Sequence, residues 1–234
     1  MNLHILGCSG SYPAAGGATA GYLVKEGDTH ILMDMGSGVL SALMKVFDPA
    51  QLDAIIITHW HYDHACDLLP LQYYLQVVGK KLDIYAPTQP APLRGLCECS
   101  YFKLHDLAEV RSIGAFQVST CKVEHPMPCY AVKLEAEGRR LVYTGDAMRY
   151  EDLIPFAQDA DLLLCDGTFT VKQWKPTLPH MSARMAGEFA SALQNVRLVV
   201  THIPPCTDAQ TLLKEAQQAY RGAVLARPGL RIDI

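Results

Sequence analysis

The segment Thr58-His59-Trp60-His61-Tyr62-Asp63-His64 limits what this chain can become more than any other stretch. It sets three imidazoles and a carboxylate within six positions, directly after the apolar run Ala54-Ile55-Ile56-Ile57. A short run of branched apolar residues belongs inside a sheet, and polar groups at its end must find partners. Alternate side chains of a strand share a face. Strand geometry continued past Ile57 therefore predicts that His59, His61 and Asp63 project the same way, with a bend bringing in His64. Imidazole nitrogens and carboxylate oxygens are the usual ligands of catalytic zinc. The alternative is an exposed polar turn with incidental histidines, and it leaves the ligand-type residues later in the chain unexplained.

Four such residues follow. His125 comes after a predicted strand, Gln117 to Val123, and immediately before Pro126. Asp146 follows Leu141-Val142-Tyr143-Thr144-Gly145, and His202 follows Arg197 to Thr201 in the same manner. His180 precedes a helix whose cap is Ser182. Any one of them alone reads as an ordinary satisfied polar residue. Together they put metal-ligand chemistry at several strand ends, where a rigid sheet displays functional loops.

The rest of the chain reads as a mixed α/β fold. Strands are expected at Leu3 to Leu6, Gly21 to Val24, His30 to Met33, Leu52 to Thr58, Leu82 to Ala86, Tyr130 to Glu135, Arg140 to Thr144, Asp161 to Cys165 and Ala223 to Leu225. Helices are expected at Val39 to Phe47, from Asp67 as N-cap with Pro70 in the first turn, at Pro90 to Cys97, after Ser182, and at Thr207 to Ala219. The buried stripe of the Ser182 helix is read as Met185, Phe189, Ala190 and Leu193. No internal repeat of solenoid length is present.

Composition narrows the function classes. The chain has 234 residues, half of them hydrophobic and 19% charged, which suits a substantial core. A formal net charge of −4 argues against a broad basic surface that grips nucleic acid non-specifically. Eight cysteines include no CxxC pair, so a zinc knuckle is not expected, and Cys97 and Cys99 read as ordinary reduced thiols. The segment Met1 to Gly7 lacks a basic region followed by a long apolar one. Neither a signal peptide nor a membrane span is expected, and a cytoplasmic location is the default.

The order HxHxDH, then His, then Asp, then His resembles the metallo-β-lactamase superfamily, and the resemblance covers nearly the whole chain. Leu32-Met33-Asp34-Met35-Gly36 is similar to the first motif of that family. Within it the chain looks most like the ribonuclease Z-like phosphodiesterase branch. Cys165-Asp166-Gly167-Thr168-Phe169 resembles that branch's acidic "HEATF" segment, His180-Met181-Ser182-Ala183 its "HST" histidine, and Val200-Thr201-His202 its final "LTH" ligand.

The resemblance implies one domain spanning residues 1–234, an αβ/βα four-layer sandwich of two mixed sheets flanked by helices. It implies two divalent metal ions, His59, His61 and His125 holding the first, Asp63, His64 and His202 the second, and Asp146 bridging them. Zinc is the expected ion and manganese the alternative. Two ions about 3.5–4 Å apart share a water, lower its pKa and stabilise attacking and leaving oxygens. Asp63, His180 and Asp166 are assigned to the chemistry itself. His180 would hydrogen-bond the phosphate or protonate the leaving oxygen, and Asp166 would fix its tautomer. Asp34 either orients a ligand histidine or caps a local turn.

Other residues invite plainer readings. Polar roles are expected for His4, His30 and His105. Trp60 and Tyr62 either line the mouth of the site or pack beside it. The loop Gly7 to Pro13 either offers amides to a phosphate or is a simple turn, and Arg184 either meets a phosphate or sits on the surface.

The chain departs from the tRNA-processing relatives in two places. Only about 20 residues separate His125 from Asp146, which leaves no room for a long tRNA-gripping arm. The segment after His202, Ile203-Pro204-Pro205-Cys206-Thr207, lacks the serine-x-arginine-tyrosine pattern. These departures favour a smaller phosphodiester, a cyclic nucleotide or short RNA or oligonucleotide, over tRNA 3′ processing. A lactone or carboxylic-ester hydrolase on the same metal pair is the enzymatic rival. A metal-dependent scaffold whose ions only hold the fold is the non-enzymatic one. The resemblance also suggests a homodimer, and the lack of an apolar span leads to the expectation of no membrane partner.

Overall fold

In a computed structural model describing residues 1–234, the chain forms two seven-stranded sheets packed face to face. The first begins with three antiparallel strands, β1 (Asn2–Gly7), β2 (Gly21–Glu26) and β3 (Thr29–Met33), and continues in parallel through β4 (Ala54–Ile56), β5 (Leu82–Ala86) and β6 (Phe102–Asp106). The second opens with an antiparallel meander, β7 (Ser112–Ile113), β8 (Phe116–Val123), β9 (Cys129–Ala136) and β10 (Arg139–Tyr143). It then runs in parallel through β11 (Leu162–Asp166), β12 (Arg197–Thr201) and β13 (Val224–Leu225). The last strand, β14 (Arg231–Asp233), returns to the first sheet beside β1.

Alternation along the strands sorts side chains into layers. Ile31, Met33, Ile56, Leu141, Tyr143, Leu162, Leu164 and Val199 point between the sheets and form one buried cluster. Leu32, Ile55 and Ile84 face outward, under the helices α1 (Val39–Met44), α2 (Tyr62–Ala65), α3 (Leu68–Val78) and α4 (Ala91–Gly95). Val142, Leu163, Leu198 and Val200 face the other way, under α5 (Ile154–Ala157), α6 (Ala183–Leu193) and α7 (Ala209–Ala219). Parallel strands covered on both faces need the continuous apolar runs seen at β4, β11 and β12. The result is the expected αβ/βα sandwich, and no helix is long and apolar enough to cross a membrane.

Several expected elements are shorter. Only Ala54–Ile56 of the run Leu52 to Thr58 enters the ladder, because Pro49–Gln51 form a tight helical turn before it and the chain turns away after Ile57. The first helix stops at Met44 rather than Phe47, and α4 covers Ala91–Gly95 rather than Pro90 to Cys97. Asp67 precedes α3 but does not cap it; its carboxylate instead accepts from the Leu40 amide at 2.9 Å. Ser182 does cap α6, accepting from the Met185 amide at 3.2 Å. Met185 is only half-buried, and the stripe of α6 is completed by Ala186 and Gly187. Strands β6, β7 and β14 and helix α5 escaped sequence reading. Two or three residues carry no period, and Phe102-Lys103-Leu104-His105-Asp106 has the mixed polarity of a sheet edge.

Helices α6 and α7 meet at Gly187. A Cβ there would press on the Ala216 carbonyl and lie 2.9 Å from the Ala219 Cβ. Gly187→Ala is expected to destabilise the fold by about 1–3 kcal/mol through overpacking. The effect reads as a lower urea midpoint with the turnover of the folded protein unchanged.

Candidate metal centre

The ligand-type residues occupy the carboxyl ends of strands along one edge of the sandwich, where open α/β sheets bind their ligands. Asp34 follows β3, His59 lies three residues past β4, Asp146 three past β10, and His202 directly follows β12. His125 follows β8. Strand alternation is not what gathers the first cluster. His59 and His61 lie in the irregular segment after β4, His61 takes the N-cap position of α2, and Asp63 and His64 sit on that single helical turn. Successive helical residues fan out by about 100°, so Asp63 and His64 reach one side together while Tyr62 faces outward and is 68% exposed.

Two sets of atoms converge. His59 Nε2 lies 2.9 Å from His61 Nδ1, His125 Nε2 lies 3.1 Å from the same nitrogen, and Asp146 Oδ2 lies 3.4 Å from His59 Nε2. On the other side, His202 Nε2 is 3.2 Å from Asp63 Oδ2 and 3.5 Å from Asp146 Oδ2, and His64 Nε2 is 3.3 Å from Asp146 Oδ1. Ligands at 2.0–2.1 Å around a tetrahedral zinc stand about 3.3 Å apart, so these separations suit a cation between them. Hydrogen bonding cannot account for them, since two imidazole nitrogens aim at one Nδ1. His64 Nε2 and Asp146 Oδ1 are buried and make no hydrogen bond at all. Buried polar atoms without partners are rare in native proteins, and a bound cation would satisfy both.

The far side of nearly every imidazole is held by oxygen. His64 Nδ1 donates to Asp34 Oδ2 at 2.7 Å, and His125 Nδ1 donates to the Pro179 carbonyl at 3.1 Å. His202 Nδ1 pairs with Thr168 Oγ1 at 2.8 Å, and His59 Nδ1 lies 3.1 Å from Thr58 Oγ1. Such partners fix ring orientation and present the other nitrogen's lone pair to an ion. Asp34 therefore orients His64, a candidate ligand, and it also accepts from the Thr58 amide at 2.8 Å and from the Tyr143 hydroxyl at 2.9 Å. Asp34 and His202 both adopt left-handed backbone, φ 58° and 61°, which aspartate and histidine tolerate better than most residues. Tyr143 and the Pro179 carbonyl carried no signal in the sequence, because one acts through a partner distant along the chain and the other through its backbone. Thr58 and Thr168 lie inside the motif segments, without anything local to mark their hydroxyls as partners of His59 and His202.

The charges agree with a cation site. Burial holds the pKa values of His59 and His61 down and brings that of His125 to about 4, which leaves them neutral and able to ligate. Burial pushes Asp63 and Asp146 up. For Asp63 the His202 hydrogen bond and the nearby imidazoles more than reverse this, as His202, His64 and His59 do for Asp146, so both stay ionised. Burial opposes a charge on His64, yet Asp146 and Asp34 raise its pKa well above the usual value.

His180 stands at the edge of both sets. Its Nδ1 lies 2.9 Å from Asp166 Oδ2 and 3.8 Å from Asp146 Oδ2, and its ring stacks on His202 at 4.7 Å between centroids. Burial disfavours its charge, but Asp166 and Asp146 outweigh that and lift its pKa to about 9. It forms a further potential ligand group with Asp146 and His202.

The remaining candidates take structural roles. The Gly7 to Pro13 loop closes onto the site: Ser11 N–H donates to Asp63 Oδ2 at 2.8 Å, and a Cβ on Gly10 would lie 2.7 Å from His202 Nδ1. Trp60 is buried and donates to the Pro87 carbonyl at 2.7 Å. Arg184 pairs with Glu188 at 3.0 Å. His105 pairs with Asp83 at 2.6 Å, and the His30 ring lies tilted against Phe47, 4.6 Å between centroids. His4 is buried beneath the outer face of the first sheet, away from the cluster. All eight cysteines are free.

A model of the Beta-lactamase superfamily domain matches residues 29–203. The chain belongs to the metallo-β-lactamase superfamily. It is 34% identical to the probable metallo-hydrolase YhfI of Bacillus subtilis over 98% of each sequence. The crystal structure of that superfamily member gives a TM-score of 0.93 at 32% identity, covering 99% of this chain and 98% of the other. Ribonuclease Z of Archaeoglobus fulgidus is 26% identical over 100% of this chain and 98% of its own length. The short form of human tRNase Z shares the fold, with a TM-score of 0.80 at 22% identity and coverage of 100% and 99%. This superfamily member is thus a metallo-hydrolase with ribonuclease Z-like relatives and a His/Asp cluster able to hold metal.

Because a ligand that binds only the folded state stabilises it, Zn2+ added to chelator-treated protein is expected to raise the thermal midpoint. Asp146→Asn should abolish most of that rise while leaving the midpoint in chelator nearly unchanged. Differential scanning fluorimetry with and without metal checks this.

Proposed function

We propose that this protein is a cytosolic two-ion hydrolase of small phosphodiesters, acting on a cyclic nucleotide or a short oligonucleotide. The observation that carries this is the position of Asp146, which groups with His59, His61 and His125 and also lies 3.3 Å from His64 and 3.5 Å from His202 of the Asp63 set, with His180 beside it and its Nδ1 engaged by Asp166. His59, His61, His125 and Asp146 would hold one ion, and Asp63, His64, His202 and Asp146 the other. Zinc suits this imidazole-rich donor set, with manganese the alternative. When bound, such a pair supplies a water of lowered pKa and neutralises charge on phosphoryl oxygens.

The chain's own residues supply orientation and protons. Asp166 accepts from His180 Nδ1, which leaves Nε2 to face a phosphoryl or leaving oxygen and, in the imidazolium form, to donate the second proton to it. Asp34 and Thr168 keep His64 and His202 from rotating away. Asp63 is steadied by the Ser11 amide. The ribonuclease Z name of the archaeal relative supports phosphodiester chemistry. The interval between His125 and Asp146 is taken up by β9 and β10, which leaves no substrate arm there and favours a substrate smaller than tRNA. The free thiols support a reducing compartment.

We also propose that the chain pairs with a second copy of itself. Helix α3 carries no charged residue, yet Tyr73 is 66% and Val77 86% exposed on its outer side. An uncharged patch meets its own copy across a two-fold axis without like-charge repulsion. Light scattering is expected to give twice the chain mass, and Val77→Lys a lower one; a wild-type monomer refutes the pairing.

A turnover screen spanning bis(p-nitrophenyl) phosphate, cyclic nucleotides, dinucleotides, tRNA precursors and a simple lactone tests the reaction class. Hydrolysis of the lactone alone would transfer the site to ester chemistry. His180→Ala is expected to lower phosphodiester kcat by about 100-fold or more, with metal content near wild type. Unchanged turnover, or loss of an ion, would remove His180 from this role.

A further inference from the structure

Two of the most deeply buried polar groups take no direct part in the reading above. Tyr143 ends β10 and is 1% exposed, and Tyr22 in β2 is fully buried. Each hydroxyl crosses the space between the sheets. Tyr143, from the second sheet, donates to Asp34 Oδ2 of the first at 2.9 Å. Tyr22, from the first sheet, lies 2.7 Å from Thr201 Oγ1 of the second. The two rings meet edge-on, 4.9 Å between centroids.

Both bonds end one step from a candidate ligand. Asp34 Oδ2 is the atom that holds His64 Nδ1 at 2.7 Å, and Thr201 directly precedes His202. His64 and His202 belong to the same ligand set but hang from different sheets. Their rings stack 5.4 Å apart with 27° between planes. That set exists only if the sheets keep one separation and register.

Aliphatic packing fixes the spacing of the sheets but is non-directional, whereas a hydrogen bond weakens steeply once misaligned and so also specifies register. A ligand constellation needs placement within about 0.5 Å. Phenylalanine would fill both positions at nearly the same volume, so packing does not call for the hydroxyls. Burying a hydroxyl is unfavourable unless it is bonded.

We propose that Tyr143 and Tyr22 are positioning residues for the metal centre. Their hydroxyls lock the two sheets in the register at which His64 and His202 meet over one ion. The inference rests on the two-ion reading. Without the Tyr143 hydroxyl, Asp34 keeps Thr58 and His64 as partners but gains freedom to turn about its own side-chain bonds. His64 Nε2 then samples more positions, and ion binding must supply the lost order.

The test is Tyr143→Phe, Tyr22→Phe and the double variant, each titrated with Zn2+ against a competing chelator and loaded with Co2+ for visible absorption. Tyr143→Phe is expected to weaken the ion held by Asp63, His64 and His202 about tenfold, the lower end for groups that orient ligands. The cobalt bands should shift, while the other ion's constant, the far-ultraviolet circular dichroism and the ion count stay as in wild type. Wild-type constants and cobalt bands in all three variants would overturn the inference, even if the melting point of the chelated protein fell, because that pattern marks a purely structural tyrosine. Should Tyr143→Phe fail to fold, Tyr22→Phe carries the same comparison through Thr201 and His202. If the wild type takes up only one ion, the two-ion reading falls, and the tyrosines are judged by the same comparison on that single constant.

Discussion

Seven nitrogen and oxygen ligand-type groups point at one another along one edge of the sandwich, and the chain leaves part of that crowd unsatisfied. Two imidazole nitrogens face a single third, and a histidine nitrogen and an aspartate oxygen are buried without hydrogen bonds. In water such groups would be solvated, and in a protein interior their crowding is unfavourable. A cation turns the same arrangement into an attraction. The arrangement is tolerable because everything around it is over-determined: oxygen atoms pin the outer nitrogens of most of the histidines, and two apolar sheets pin the backbone that carries them.

The sandwich earns its role by geometry. Parallel strands end at one edge of each sheet, and the chain leaving those ends is free to be irregular. One sheet delivers the HxHxDH cluster after β4, and the other delivers His125, Asp146 and His202 after β8, β10 and β12. Neither sheet holds a complete ligand set. Asp146 touches donors of both, and the cross-sheet hydroxyls of Tyr143 and Tyr22 reach residues adjacent to them. Catalytic placement is therefore a property of how the sheets face each other rather than of either half.

The same scaffold supports different substrates among its relatives, so specificity has to come from what surrounds the metal edge. Here the interval after His125 folds back as a plain hairpin. The loop from Thr170 to Pro179 ends by giving its last carbonyl to His125. The Ser9 to Tyr12 turn lies against Asp63 and His202. These short segments are tied directly against the residues of the His/Asp cluster.

Much of this was legible in the linear sequence. Apolar runs of branched residues betray buried strands wherever they occur, and a dense His/Asp cluster has few uses besides metal. The helix cap at Ser182 was local enough to read, and the candidate ligand residues that the structure gathers could be picked out by type and by position near strand ends. What the sequence could not show is which groups meet. The expectation that strand alternation aligns His59, His61 and Asp63 failed because the strand ends early and a single helical turn does the aligning. Tyr143 reaches Asp34 across 109 positions and Tyr22 reaches Thr201 across 179. Residue type and periodicity thus determined the layers and the candidate ligands. Only the packing of one sheet on the other decided their partners, because a hydrogen bond depends on distance in space and local pattern carries no record of it.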